Sequence, residues 1–147
     1  MVSQAAEYAL RSVVALGLRP GRCLTAREIA AQTRIPAPYL SKVLRMLVRA
    51  GLVASHRGLG GGFDLARPPA RMTVLEVVEA VAPIRPDSRC PGSLASRPCP
   101  LCGIHHGVDA WFTMLKGELA RFTVADLIAD PGAVPGGAHA GPPAAPR

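Results

Sequence analysis

The sequence predicts a mainly α-helical fold with one small β-hairpin, on three observations. Helical apolar spacing or helix-start signals mark four segments within residues 1–82. A glycine-rich stretch at residues 58–62 is flanked by two short segments of strand character. A further apolar stripe at helical spacing begins at residue 103. A chain of 147 residues accommodates one modest domain and an appendage.

In residues 3–18, Ala6, Ala9, Leu10, Val13, Val14 and Gly17 recur at spacings of three and four, as on one helix face. Arg19, Pro20 and Gly21 stop that helix. Thr25 and Glu28 have capping-box spacing, in which hydroxyl and carboxylate satisfy each other's free amides, so a second helix runs to about Thr33. Pro36 and Pro38 are tolerable only before or within a first turn, which starts a third helix near Ala37. It continues to about Ala50, and Gly51 terminates it. Leu40, Val43, Leu44, Leu47 and Val48 form its apolar face, and Lys42, Arg45 and Arg49 line another. Two short helices joined by a short linker make a helix-turn-helix.

Residues 52–56 and 63–66 read as strands around the tip RGLGGG at 57–62, which forms a wing. A nucleotide phosphate loop would end in Gly-Lys-Ser/Thr and enter a helix, whereas residues 63–66 alternate like a strand. Thr73 and Glu76 open a fourth helix with Val74, Val77, Val78 and Val81 on its apolar face, closed by Pro83. Five prolines in residues 83–100 indicate an irregular loop. From Gly103, a last long helix carries Ile104, Val108, Trp111, Phe112, Leu115, Leu119 and Phe122. A winged-helix core would be complete without this stripe, so burial against a second copy, a homodimer, is expected. The expected organisation is a winged helix-turn-helix over 1–82, a cysteine-bearing loop over 83–102, a dimerisation helix and C-terminal segment over 103–130, and a disordered Pro/Gly/Ala tail over 131–147.

The charge is +7 and unevenly placed. Residues 1–71 hold eleven Lys/Arg against Glu7, Glu28 and Asp64, a balance of +8, while residues 72–147 hold six against seven. A basic N-terminal half beside a near-neutral remainder suits a module that neutralises phosphates. The first residues include an acid and no apolar run of the roughly 20 residues needed to span a bilayer. A cytoplasmic protein without membrane association is expected. In that compartment four cysteines favour metal or redox chemistry over a disulfide framework. No catalytic acid-base constellation stands out, so an enzyme is not expected. CPLC at 99–102 lacks the alternating strands and helices of a thioredoxin-like oxidoreductase.

Cys90, Cys99 and Cys102 offer three soft thiolates, suited to an iron-sulfur cluster and to zinc alike. With Cys90 and either His105 or His106, the Cys99/Cys102 pair also forms a four-ligand zinc set, and a metal-free thiol switch is the third alternative. Arg85, Arg89 and Arg97 favour the thiolate form in each case. Cys23, just before a capping residue, reads as a buried small apolar side chain.

Several motifs together resemble a known family: Glu7-Tyr8-Ala9-Leu10-Arg11, Tyr39-Leu40, RGLGGGF at 57–63, LARPP at 65–69, the cysteine loop, and TVADL at 123–127. They are similar to the winged-helix regulators of the IscR and NsrR type, which sense iron-sulfur cluster status and nitric oxide. The resemblance covers residues 1 to about 130 and implies a dimeric DNA-binding repressor with its long C-terminal helices at the interface. It also implies a 2Fe-2S or 4Fe-4S cluster on Cys90, Cys99 and Cys102. The outer pair keeps the family's separation, but the pattern is Cys-x8-Cys-x2-Cys, with Ser96 where the middle ligand is expected. For the fourth ligand, His105 matches the cysteine-histidine spacing of the cluster regulators. Glu7 of the partner subunit is the alternative, at the position of an acidic ligand in some nitric-oxide or redox sensors.

A recognition helix in the major groove would use Tyr39, Ser41, Lys42, Arg45 and Arg49, while Arg57 enters the minor groove beside the slender tip at Gly60 and Gly61. Two-fold symmetry favours a palindromic double-stranded site. If the domain were instead a protein-interaction adaptor, the Lys42/Arg45/Arg49 face would simply be solvated.

Overall fold

The protein is described here by a computed structural model covering residues 3–85 and 102–129. Helix α1 (Gln4–Gly17) begins at Ser3, whose hydroxyl accepts the Ala6 amide at 3.3 Å. Its buried face is Ala6, Ala9, Ser12, Val13, Ala15 and Leu16, broader and turned relative to the expected stripe. Leu10 and Val14 are only half-buried. The reason is the number of neighbours: helices from both ends of the chain pack around α1, so one narrow stripe is not enough. Ser12 tolerates complete burial because its hydroxyl donates to the Tyr8 carbonyl at 2.8 Å.

Helix α2 (Ala26–Thr33) starts with the expected box, the Glu28 amide donating to Thr25 Oγ1 at 3.2 Å and the Thr25 amide to Glu28 Oε2 at 2.8 Å. It ends at Arg34, whose φ of 56° turns the chain toward buried Ile35. Helix α3 (Ala37–Arg49) has Pro36 at its N-cap and Pro38 in its first turn, where a missing amide is harmless. Leu40, Val43, Leu44 and Leu47 are buried, and Val48 only partly.

Strands β1 (Val53–His56) and β2 (Gly62–Leu65) pair antiparallel, with Val53 opposite Leu65 and His56 opposite Gly62. A one-residue bridge extends the sheet on the other edge of β2. The Leu24 amide donates to the Phe63 carbonyl at 2.9 Å, and the Phe63 amide to the Leu24 carbonyl at 2.8 Å. Leu24 takes the inward position at 1% exposure. Alternation therefore turns Cys23 outward, and it is partly exposed, which corrects its expected burial as a small apolar side chain.

A single 3-10 turn (Pro69–Arg71) leads to helix α4 (Val74–Val81), where Val74, Val77, Val78 and Val81 are all buried. Helix α5 (Cys102–Arg121) is followed by helix α6 (Val124–Ala129), whose separate existence the apolar pattern does not reveal. Between them the chain runs beside residues 72–74: the Val74 amide donates to the Phe122 carbonyl and the Val124 amide to the Met72 carbonyl, each at 2.8 Å. Val124 is fully buried in the same core as Met72 and Val77.

The idea that the N-terminal domain completes its core alone is thus corrected, since residues after the long helix fill part of it. The α5 stripe divides accordingly. Leu119 and Phe122 pack on this core, while Ile104, Val108 and Trp111 are exposed. Among the described residues no helix is long and apolar enough to cross a membrane. The expected loop over most of 83–102 and the tail over 131–147 lie outside the described residues.

Candidate nucleic-acid interface and metal-ligand positions

Burial of Leu40, Val43, Leu44 and Leu47 fixes the roll of α3 and turns the opposite side of the helix outward. Ser41, Lys42, Arg45 and Arg49 are exposed, and Tyr39 is 57% exposed. The Tyr39 ring is held edge-on against Tyr8 of α1, centroids 6.3 Å apart, and the Tyr8 hydroxyl accepts from Gln4 at 3.0 Å. Helix α3 contains no acidic residue. Among the described residues no carboxylate lies within 4 Å of Lys42, Arg45, Arg49 or Arg57. By contrast Arg22 pairs with Glu28 at 2.8 Å, Arg67 with Glu76 at 2.9 Å and Lys116 with Glu79 at 2.9 Å.

Glu28 and Glu76 are committed to caps. Hydrogen bonding from the Thr25 amide and hydroxyl, then Arg22, holds the Glu28 carboxyl below the usual glutamate value. The Thr73 amide, aided by Arg67, does the same for Glu76 against a partial desolvation cost. They stabilise helix starts and leave the outward cations of α3 uncompensated.

The wing tip turns through Gly58 and Gly60 at φ of 95° and 74°, with the Gly61 amide donating to the Gly58 carbonyl at 3.0 Å. Arg57 and Gly60 are exposed, and Gly61 is half-buried. A side chain at Gly61 would come within 2.5 Å of the His56 carbonyl. Leu59, not among the expected contact residues, projects fully into solvent at the tip. Its only sequence signal is an apolar residue inside a glycine loop.

Cys102 and His105 fall in the first turn of α5, three residues apart. Cys90 and Cys99 lie outside the described residues. Glu7 is exposed in the first turn of α1 and forms an ion pair with Arg11. Near it, Ala6 and Leu10 of α1, Val78 of α4 and Trp111, Phe112 and Leu115 of α5 line an open apolar groove of about 570 Å³.

A basic helix fixed outward by a helical core, with a glycine-tipped hairpin beside it, defines a winged-helix transcriptional regulator that binds DNA. The chain belongs to the Rrf2 family, described as iron-dependent transcriptional regulators, whose model matches residues 2–130. As a member of that family it is a transcriptional regulator and not an enzyme. An Aquifex aeolicus protein named as an HTH-type transcriptional regulator is 30% identical over 129 residues, covering 86% of this chain and 90% of that one. The HTH-type transcriptional regulator IscR of Cereibacter sphaeroides is 37% identical over 83 residues, 54% of each chain.

Among solved structures, that of T. potens IscR superposes with a TM-score of 0.70 at 26% identity, covering 89% of this chain and 88% of that one. The Bacillus subtilis cysteine regulator CymR superposes at 0.69 with 21% identity, covering 88% and 96%, a likeness of fold.

Proposed function

We propose that the protein is a dimeric repressor that reads a palindromic promoter site and whose affinity for it is set by an iron-sulfur cluster responsive to redox state, nitric oxide or cluster supply. The observation that carries the DNA-reading part is the row of outward cations on α3 with no carboxylate within 4 Å among the described residues. In the major groove Tyr39, Ser41, Lys42, Arg45 and Arg49 reach bases and phosphates, and Arg57, Gly60 and Gly61 lie along the adjacent minor groove. Leu59 joins them as an apolar contact at the wing tip.

The exposed residues Ile104, Val108 and Trp111 support pairing of α5 with its counterpart in a second copy. Cys90, Cys99, Cys102 and His105 would hold the cluster, with Glu7 of the partner subunit as the alternative to His105. The donor set, thiolates with an imidazole or a carboxylate, fits such a group chemically. When bound, the cluster supplies a link that oxidation, nitric oxide or iron loss can break, joining the cysteine segment to the start of α5. Both α5 and the residues after it contact the winged domain, so a change at the first turn of α5 has a route to the relation between two recognition helices.

Promoter-fragment binding by protein purified without oxygen, loaded and then stripped of iron, tests the reading at two salt concentrations. Affinity that falls with salt and differs between the two forms is expected. Equal affinity would remove the switch, and affinity indifferent to salt would remove DNA reading altogether. Metal and sulfide analysis of the same sample separates a cluster from zinc or from a metal-free thiol switch.

A further inference from the structure

The base of the wing carries a group of side chains that DNA reading does not use. In an antiparallel ladder paired residues share a face, and successive residues alternate. Ala54 lies opposite Asp64 and His56 opposite Gly62, so His56 and Asp64 occupy the same face. The bridge between Leu24 and Phe63 places Cys23 opposite Asp64 on that face as well. The other face belongs to the core, through Leu24 and Val53.

A thiol, an imidazole and a carboxylate from three adjacent chain segments therefore converge on the outer side of the sheet. Their ligand atoms all lie within 4.8 Å of one another, and His56 Nε2 is 3.0 Å from Asp64 Oδ1.

We propose that Cys23, His56 and Asp64 form a metal site distinct from the cysteine loop, suited to zinc or a similar borderline divalent ion. Sulfur, nitrogen and oxygen donors are the set that zinc accepts, whereas calcium and magnesium require oxygen ligands. Zinc bonds of about 2.0–2.3 Å place tetrahedral ligand atoms roughly 3.3–3.8 Å apart, so closing on an ion needs side-chain movements of only about 1 Å. Cys23 and Asp64 are half-buried and His56 is exposed, which leaves an approach from solvent and a fourth position for water.

A histidine-aspartate hydrogen bond would account for two of these residues; it gives no role to the thiol directly across β2. The bound ion would tie both arms of the hairpin to the segment that enters α2, holding the wing at a fixed angle. The site does not depend on the DNA-binding reading.

The chain has four cysteines, so replacing Cys90, Cys99 and Cys102 with serine leaves Cys23 as the sole thiol. Titrating that full-length variant with cobalt(II) should then produce a thiolate-to-cobalt charge-transfer band saturating at about one ion per chain and displaced by zinc. Adding Cys23→Ser or His56→Ala should abolish the band, and Asp64→Asn should weaken binding. Absence of the band in folded variant, checked by circular dichroism, overturns the proposal, as does a band that survives His56→Ala.

In the otherwise unaltered protein dialysed against zinc, Cys23→Ser should lower the zinc content by about one ion per chain. An unchanged zinc content likewise overturns it.

Discussion

Lys42, Arg45 and Arg49 are placed differently from the arginines that pair with glutamate, and single substitutions should reveal what they do. If Arg45 contacts a phosphate, Arg45→Ala should weaken binding to all sequences and reduce the slope of log affinity against log salt by about 0.9. If it reads a guanine, the loss should be about 1–3 kcal/mol and confined to one base-pair position. Fluorescence anisotropy on matched and mismatched duplexes distinguishes the two. Gly62 is a different kind of residue-scale constraint: its φ is 147°, and an added Cβ would lie 2.5 Å from the Leu24 carbonyl. Gly62→Ala should destabilise the domain by more than about 1 kcal/mol in urea unfolding, because strain and collision coincide. A neutral result would mean that the Leu24 bridge opens easily.

The helices begin with the same device three times. Thr25 with Glu28, Thr73 with Glu76 and Thr123 with Asp126 each exchange hydrogen bonds between cap and third residue. The carboxyls of all three acids are held below their ordinary values, chiefly by the amide of the capping threonine. A depressed carboxyl stabilises the fold above its unfolded value and loses that contribution as pH falls through the folded one. Thermal stability should therefore decline below pH 4.5, the ordinary glutamate value, and the decline should be shallower in Glu76→Gln. Thr73→Ala should cost about 1 kcal/mol at neutral pH, measured by urea unfolding. The third box was harder to read from the sequence because it uses Asp where Glu or Gln is the usual signal.

At the scale of the whole molecule, α5 is part core and part exposed apolar surface. Its last turn and the residues after it belong to the winged-domain core, whereas its first four turns present Ile104, Val108, Trp111 and Met114, the last 71% exposed. In the proposed dimer, Val108→Asp with Trp111→Asp should give a monomer in analytical ultracentrifugation while leaving helix content unchanged. The same variant should lose affinity for a palindrome far more than for a single half-site. Persistence of the dimer would place the interface elsewhere and leave the α5 face to another partner.

Three helix starts, the stop at Gly51 and the glycine turn were legible in the sequence because each is decided within a few residues, by caps, prolines and positive φ. The outward placement of Lys42, Arg45 and Arg49 was legible too, since helical period relates them directly to the apolar face. Cys23 and Val124 were not. Whether Cys23 faces core or solvent depends on a bridge to Phe63, forty residues away, and Val124 finds its place beside Met72 only when the chain returns past α4. Local chemistry in the sequence determined most of the elements and the outward basic face of α3. Long-range pairing alone decided which residues completed the core and which side chains met at the wing base, because contacts between distant segments leave no periodic trace along the chain.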